Sequence, residues 1–132
     1  RNIRLTSSFA LTIAGTWLSA AVVKAAVHRL RPDPALLQFP FNPGQIDPSY
    51  PSGHTAFITT LVVTLFLCTA IGYRRWLVAI IGGLIVIGVV TALLIDGVHY
   101  PSDILASIIW SVTVAPLMWM IWTKVFRYQR SR

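Results

Sequence analysis

Four long apolar stretches, nearly free of charge, constrain this chain more than any other feature. A helix needs about 20 mainly apolar residues to cross a bilayer, and the stretches opening at Leu5, Thr55, Trp76 and Ile104 are each read as such a span. The expected fold is all-α: a polytopic transmembrane bundle with helices over about residues 5–28, 54–72, 76–95 and 103–125. One domain covers residues 1–132. Composition agrees, since the chain is 55% hydrophobic and 11% charged, whereas soluble domains carry about 25% charged residues. The single cysteine, Cys68, lies inside an apolar stretch and reads as one more buried apolar residue.

The net charge of +7 would suggest nucleic acid in a soluble protein, but its placement argues otherwise. Helices alternate direction, so the chain start, the Tyr73–Arg75 link and the chain end share one face. That face holds Arg1, Arg4, Arg74, Arg75, Lys124, Arg127, Arg130 and Arg132 and no acid. The other holds Lys24, Arg29 and Arg31 against Asp33, Asp47, Asp96 and Asp103. Cytoplasmic loops are the positive ones, so both termini of this chain are expected in the cytoplasm of a multi-pass cell-membrane protein. The basic face is expected to meet anionic lipid, not nucleic acid.

The connections differ. The link from Asp33 to Tyr50 is long and proline-rich, which marks it as a functional extracytoplasmic loop. Leu36, Leu37, Phe39 and Phe41 are expected at headgroup level, Asp33 and Asp47 in solvent, and His28 and Arg29 on lipid headgroups. Within the spans, Ala10, Ala14, Gly15, Ser19, Ala21 and Ala25 suggest a packing face. Thr59, Thr60 and Thr64 are expected to bond back to their own helix.

Three short motifs fall on the outer face. Lys24 and Arg31-Pro32 close the first helix, and Pro51-Ser52-Gly53-His54 opens the second. Gly97-Val98-His99-Tyr100-Pro101-Ser102-Asp103 joins the third to the fourth. Ser52 is a good N-cap, and a helix start with a small hydroxyl residue and a glycine suits an anion. A phosphoryl group in transfer spreads charge over three oxygens, so catalysis is mainly positioning and neutralisation. Lys24 supplies a point charge and Arg31 a planar fork. Of two histidines, one can attack phosphorus and the other protonate the leaving oxygen. Asp103 is placed to orient His99 by a hydrogen bond. His99 and Asp103 could also serve only to cap the fourth helix. Asp96, His99 and Asp103 are a poor zinc set, and no metal is expected.

At these residues the sequence resembles the type 2 phosphatidic acid phosphatase family, the membrane branch of the acid phosphatase and vanadium haloperoxidase superfamily. Lys24, Arg31 and Pro32 match its Lys-x6-Arg-Pro motif, and residues 51–54 match its Pro-Ser-Gly-His motif. His99 and Asp103 match the end of its Ser-Arg-x5-His-x3-Asp motif. The resemblance implies His99 as nucleophile, His54 as general acid and Asp103 as the partner of His99. Lys24, Arg31, Ser52 and Gly53 would hold the phosphoryl oxygens, without metal or cofactor. Implied substrates are a polyprenyl diphosphate, phosphatidylglycerol phosphate or phosphatidate, met at the extracytoplasmic face. Family members usually have six helices, so two more are expected upstream of this chain. The match has a gap: Ala92 and Leu93 stand where the family has Ser-Arg, and Asp96 replaces an apolar residue. Either Arg29 or His28 compensates, or activity is reduced, or the protein binds a lipid phosphate or acts as a scaffold without turnover. A transporter is a weaker reading, because no charge lies mid-span.

Overall fold

The computed structural model of the chain describes residues 3–37 and 44–128. The readings made for Arg1, Phe39, Phe41, Arg130 and Arg132 fall outside them, as does the Arg127 side chain. The described residues form four helices and no strand: α1 (Ile3–Val27), α2 (Gly53–Cys68), α3 (Tyr73–Ile95) and α4 (Pro101–Tyr128). A short 3-10 turn, Pro34–Leu36, follows α1 and is capped by the Asp33 carboxylate, which accepts from the Ala35 N–H.

Three helices, not four, are long and apolar enough to cross a membrane. α2 stops at Cys68, four residues before the expected end, and its 16 residues span about 24 Å. Thr69 is extended and its hydroxyl takes the Leu65 carbonyl at 2.7 Å, which ends the helix. Gly72, at φ 141°, turns the chain into α3. The Arg75 guanidinium lies 4.1 Å from the centroid of the Phe66 ring and ties the two helices at this turn.

α1, α2 and α4 pack against one another, and α3 lies on α2. Hydroxyls and small side chains, not large apolar ones, fill the interior. Ser8, Thr12, Thr16 and Ala20 recur every fourth residue and form the buried stripe of α1. Of the small residues expected to pack, Ala10, Ala14, Ala21 and Ala25 are exposed. Both stripes are small enough to admit a neighbour, and the choice between them rests on where α2 and α4 lie. Hydroxyl and indole groups bridge the helices: Ser111 Oγ donates to the Ala56 carbonyl at 3.0 Å, and Trp110 Nε1 to Ser19 Oγ at 3.2 Å. Of the α2 threonines, Thr64 bonds back to the Thr60 carbonyl at 2.7 Å. Thr59 and Thr60 are buried without a hydroxyl partner.

Gly82 is the buried point of α3. A Cβ there would sit 2.4 Å from Val62 Cγ1, so Gly82→Ala must push α3 off α2. Overpacking of this kind costs about 1–3 kcal/mol. Thermal unfolding in detergent should show the loss, and Val62→Ala in the same chain should restore most of it.

Candidate active site

Three chain segments meet at the end of the bundle where α1 finishes. α1 ends at Val27, and His28 follows in the left-handed region at φ 49°. That reversal, with Pro32 close behind, swings Arg29 and Arg31 out of the helical path. The returning loop is stitched to this turn: the Ser49 N–H donates to the Arg29 carbonyl at 2.8 Å and its hydroxyl to the Leu30 carbonyl at 3.0 Å. Gly97, at φ 63°, lets the α3–α4 link pass Leu37, whose Cδ1 would lie 2.5 Å from an added Cβ. The α3–α4 link then runs into α4 through Tyr100, with Pro101 in the first helical position.

A cavity of about 640 Å³ opens between these segments, with Lys24, Arg31, Asp47, Gly53, His54 and His99 in its lining. Trp17, Phe57 and Val89 supply apolar wall from α1, α2 and α3. His54 is exposed, whereas His99 is buried. Arg31 Nη1 lies 3.3 Å from His99 Nε2 and donates to the Val98 carbonyl at 2.7 Å. A guanidinium can only donate, so the contact assigns the Nε2 lone pair to the Arg31 side and the proton to Nδ1. Nδ1 lies 3.6 Å from Asp103 Oδ2, beyond hydrogen-bonding distance. The expected His99–Asp103 hydrogen bond is therefore replaced by a close electrostatic approach.

Asp103 is fully buried and divides its oxygens. Oδ2 accepts the Tyr100 N–H at 2.9 Å, the reach-back of a capping box at the start of α4. Oδ1 accepts from Arg29 Nη1 at 2.8 Å. Arg29 also donates to Ser102 Oγ at 2.7 Å and lies 4.2 Å from the Tyr100 ring centroid. It is thus the counter-ion of Asp103 and not only a headgroup contact. A buried carboxylate requires a cation or several donors. The scarcity of cations at this end could have pointed to Arg29, although nothing in the spacing of residues 74 apart does so.

Two more expectations change. Asp47 is more than a solvated loop residue: it stays half-exposed but pairs with Lys24, and its Oδ1 accepts from Arg31 Nη2 at 2.9 Å. The Ser52 hydroxyl does not line the cavity. It is fully buried and spent on the α2 cap, accepting from the Thr55 N–H at 3.4 Å and the Thr55 hydroxyl at 3.1 Å. Gly53 does line it, and the Gly53 carbonyl accepts from Trp17 Nε1 at 3.3 Å. Neither Arg29 nor His28 reaches the cavity in place of the arginine missing at Leu93. Asp96 lines a second, adjacent cavity of about 400 Å³ and not this one.

The cations set the protonation of their neighbours. Burial raises the Asp47 pKa, but hydrogen bonds and charge from Lys24 and Arg31 outweigh it and hold the carboxyl below its ordinary range. For His99, burial comes first, then the positive charge of Arg31; against the opposing pull of Asp103 they lower its pKa from 6.5 to about 4. His99 is accordingly neutral at physiological pH. Imidazole resonances of His99 should titrate with a midpoint near 4, not 6.5, in an NMR pH series. The sign has a stability consequence: between those values the unfolded chain binds the proton and the folded one resists it. This histidine's contribution to stability therefore falls as pH drops from 6.5 towards 4.

A bundle of apolar helices with a cavity of two cations and two imidazoles at one end defines a class of membrane protein. The chain belongs to the PAP2 superfamily, whose family model matches residues 5–127. It is similar to two curated proteins named Lipid A 1-phosphatase, from Rhizobium johnstonii and Rhizobium etli. Each is 33% identical over 102 residues, which cover 74% of this chain and 39% or 41% of the relative. The chain thus spans about two fifths of the length of these relatives. No solved structure matches it.

Proposed function

We propose that this chain carries the active site of a membrane phosphatase that hydrolyses a lipid phosphate or diphosphate through a phosphohistidine. One observation carries the reading: the Nε2 face of a buried, neutral His99 adjoins the Arg31 guanidinium in a cavity shared with Lys24, Gly53 and His54. A nucleophile needs an unprotonated lone pair, and that pair faces the cation that would hold the phosphoryl oxygens.

The steps follow. Lys24, Arg31 and the backbone at Gly53 bind the phosphoryl oxygens. His99 Nε2 donates its lone pair to phosphorus, and the bond from phosphorus to the leaving oxygen breaks. That oxygen keeps the electron pair and takes a proton from protonated His54. The attacking ring becomes cationic, and the Asp103 carboxylate, 3.6 Å from Nδ1, stabilises it. Water then attacks the phosphohistidine while His54, now neutral, takes its proton. The P–N bond breaks, and phosphate leaves with His99 neutral again. Ser52 acts indirectly, by fixing the start of α2.

The relatives' name adds the 1-phosphate of lipid A to the candidates, beside a polyprenyl diphosphate, phosphatidylglycerol phosphate and phosphatidate. The basic residues at the opposite end of the bundle favour an extracytoplasmic site. The chemistry as written draws on no metal or cofactor.

Phosphate release from these lipids, measured in detergent with chelator and no added metal, tests the reading. Acid-labile, base-stable phosphate on the protein after a quench with labelled substrate is the expected companion result. An active sample with no such adduct would remove His99 as nucleophile. A second reading, lipid-phosphate binding without turnover, is favoured by Leu93, because no other described cation lines the cavity in its stead. Leu93→Arg separates the two readings: a gain from no activity to measurable release supports the second.

A further inference from the structure

The cavity contains its own anion. Asp47 presents one carboxylate oxygen to Lys24 and the other to Arg31, and its backbone carbonyl accepts from Arg31 Nε at 2.9 Å. Those two side chains are the only lysine and arginine lining the cavity among the described residues. A carboxylate with one oxygen on each cation has the geometry of two oxygens of a phosphoryl group on the same pair. Asp47 is half-exposed, at 53% of its side chain, so water reaches it and it can swing aside.

Building on the phosphatase reading above, we propose that Asp47 is the specificity determinant of this site: a tethered competitor that admits phosphomonoester dianions and diphosphates and turns away phosphodiester monoanions. The reason is charge balance. Lys24, Arg31 and one carboxylate leave a net charge of +1 before any proton carried by His54 is added. A monoanionic phosphodiester exchanges one negative charge for another and must also compete with a group held at high effective concentration by its own backbone. A dianion or a diphosphate brings at least one charge more than the carboxylate and gains what the exchange leaves over. Bilayer lipids are largely phosphodiesters, so a cavity with two uncompensated cations would fill with the surrounding lipid. Asp47 prevents that while leaving terminal phosphates able to displace it.

Asp47→Asn tests this with little disturbance, because the backbone carbonyl that anchors the loop to Arg31 is kept. In the purified full chain in neutral detergent, binding of inorganic phosphate and of orthovanadate is read by calorimetry. Both should tighten about tenfold, the scale of one partly screened ion pair. Phosphatidylglycerol in mixed micelles should compete with phosphate weakly for the native chain and at least tenfold better for the variant. Asp47→Ala should behave alike, and Asp47→Glu should stay near the native values. Unchanged or weaker phosphate binding in both Asn and Ala variants would overturn the proposal and make Asp47 a strut for the two cations. Tightened phosphate binding with unchanged phosphatidylglycerol competition would overturn the discrimination as well. These are binding measurements, so they are separate from turnover: a chain that releases no phosphate yet binds it more tightly without Asp47 would sink the phosphatase reading and keep this one.

Discussion

Phosphate release by His99→Ala is expected to fall by about 10⁴-fold or more, the scale seen when a covalent nucleophile is lost from a site whose parts act together. The residual rate comes from cations that still hold the phosphoryl group. KM should change much less than kcat, because Lys24 and Arg31 remain to bind substrate. No phosphohistidine should form. His99→Gln is the sharper variant, since an amide fills the buried space yet supplies no nucleophilic ring nitrogen. A variant retaining a tenth of the native rate would show that His99 does not attack phosphorus. Folding must be checked alongside, because the side chain is only 1% exposed where it lines the cavity.

Arg29→Leu is expected to be the most destabilising single change at this end of the bundle. It strips the cation from a carboxylate that is fully buried. Removing one partner of a buried ion pair costs about 3–5 kcal/mol. Arg29 itself is 38% exposed, so water can replace part of what it supplies, and about 2–4 kcal/mol is the better expectation. The Tyr100 N–H stays on Asp103, so α4 keeps its cap. Denaturation in detergent should show the loss. Arg29→Lys should recover part of it, because an ammonium reaches the carboxylate but cannot also serve Ser102 and stack on Tyr100 in the same geometry. A second readout bears on positioning: in the Leu variant Asp103 loses its nearest counter-charge, so the His99 midpoint should rise above about 4. A structural role confined to the helix cap would leave that midpoint unmoved.

Much of the architecture was legible from residue pattern alone. Apolar length and scarce charge point to a helical bundle. Ser52 reads as an N-cap, and it is one. The neighbourhood of Lys24, Arg31, Gly53, His54 and His99 was legible for a related reason: each belongs to a short motif at a helix end, and alternating helices bring those ends to one side. Where reading failed, the cause lay in distance along the chain. Asp47 and Asp103 are both acids near helix ends, and local pattern cannot say which cation each will meet. Arg29 looks as exposed as Arg31 in sequence, yet the left-handed turn at His28 sends one to the carboxylate in the first turn of α4 and the other to the imidazole.

The sequence by itself determined the membrane-helix class, the motif positions and the end of the bundle on which they gather, because hydrophobic length and short-range spacing are properties of contiguous residues. Only the tertiary structure decided the pairing of charges: Arg29 with Asp103, and Lys24 and Arg31 with Asp47. It also decided that α1 buries its hydroxyl stripe and that His99 is held neutral. Those outcomes depend on which groups are desolvated together, and desolvation is a property of packed neighbours.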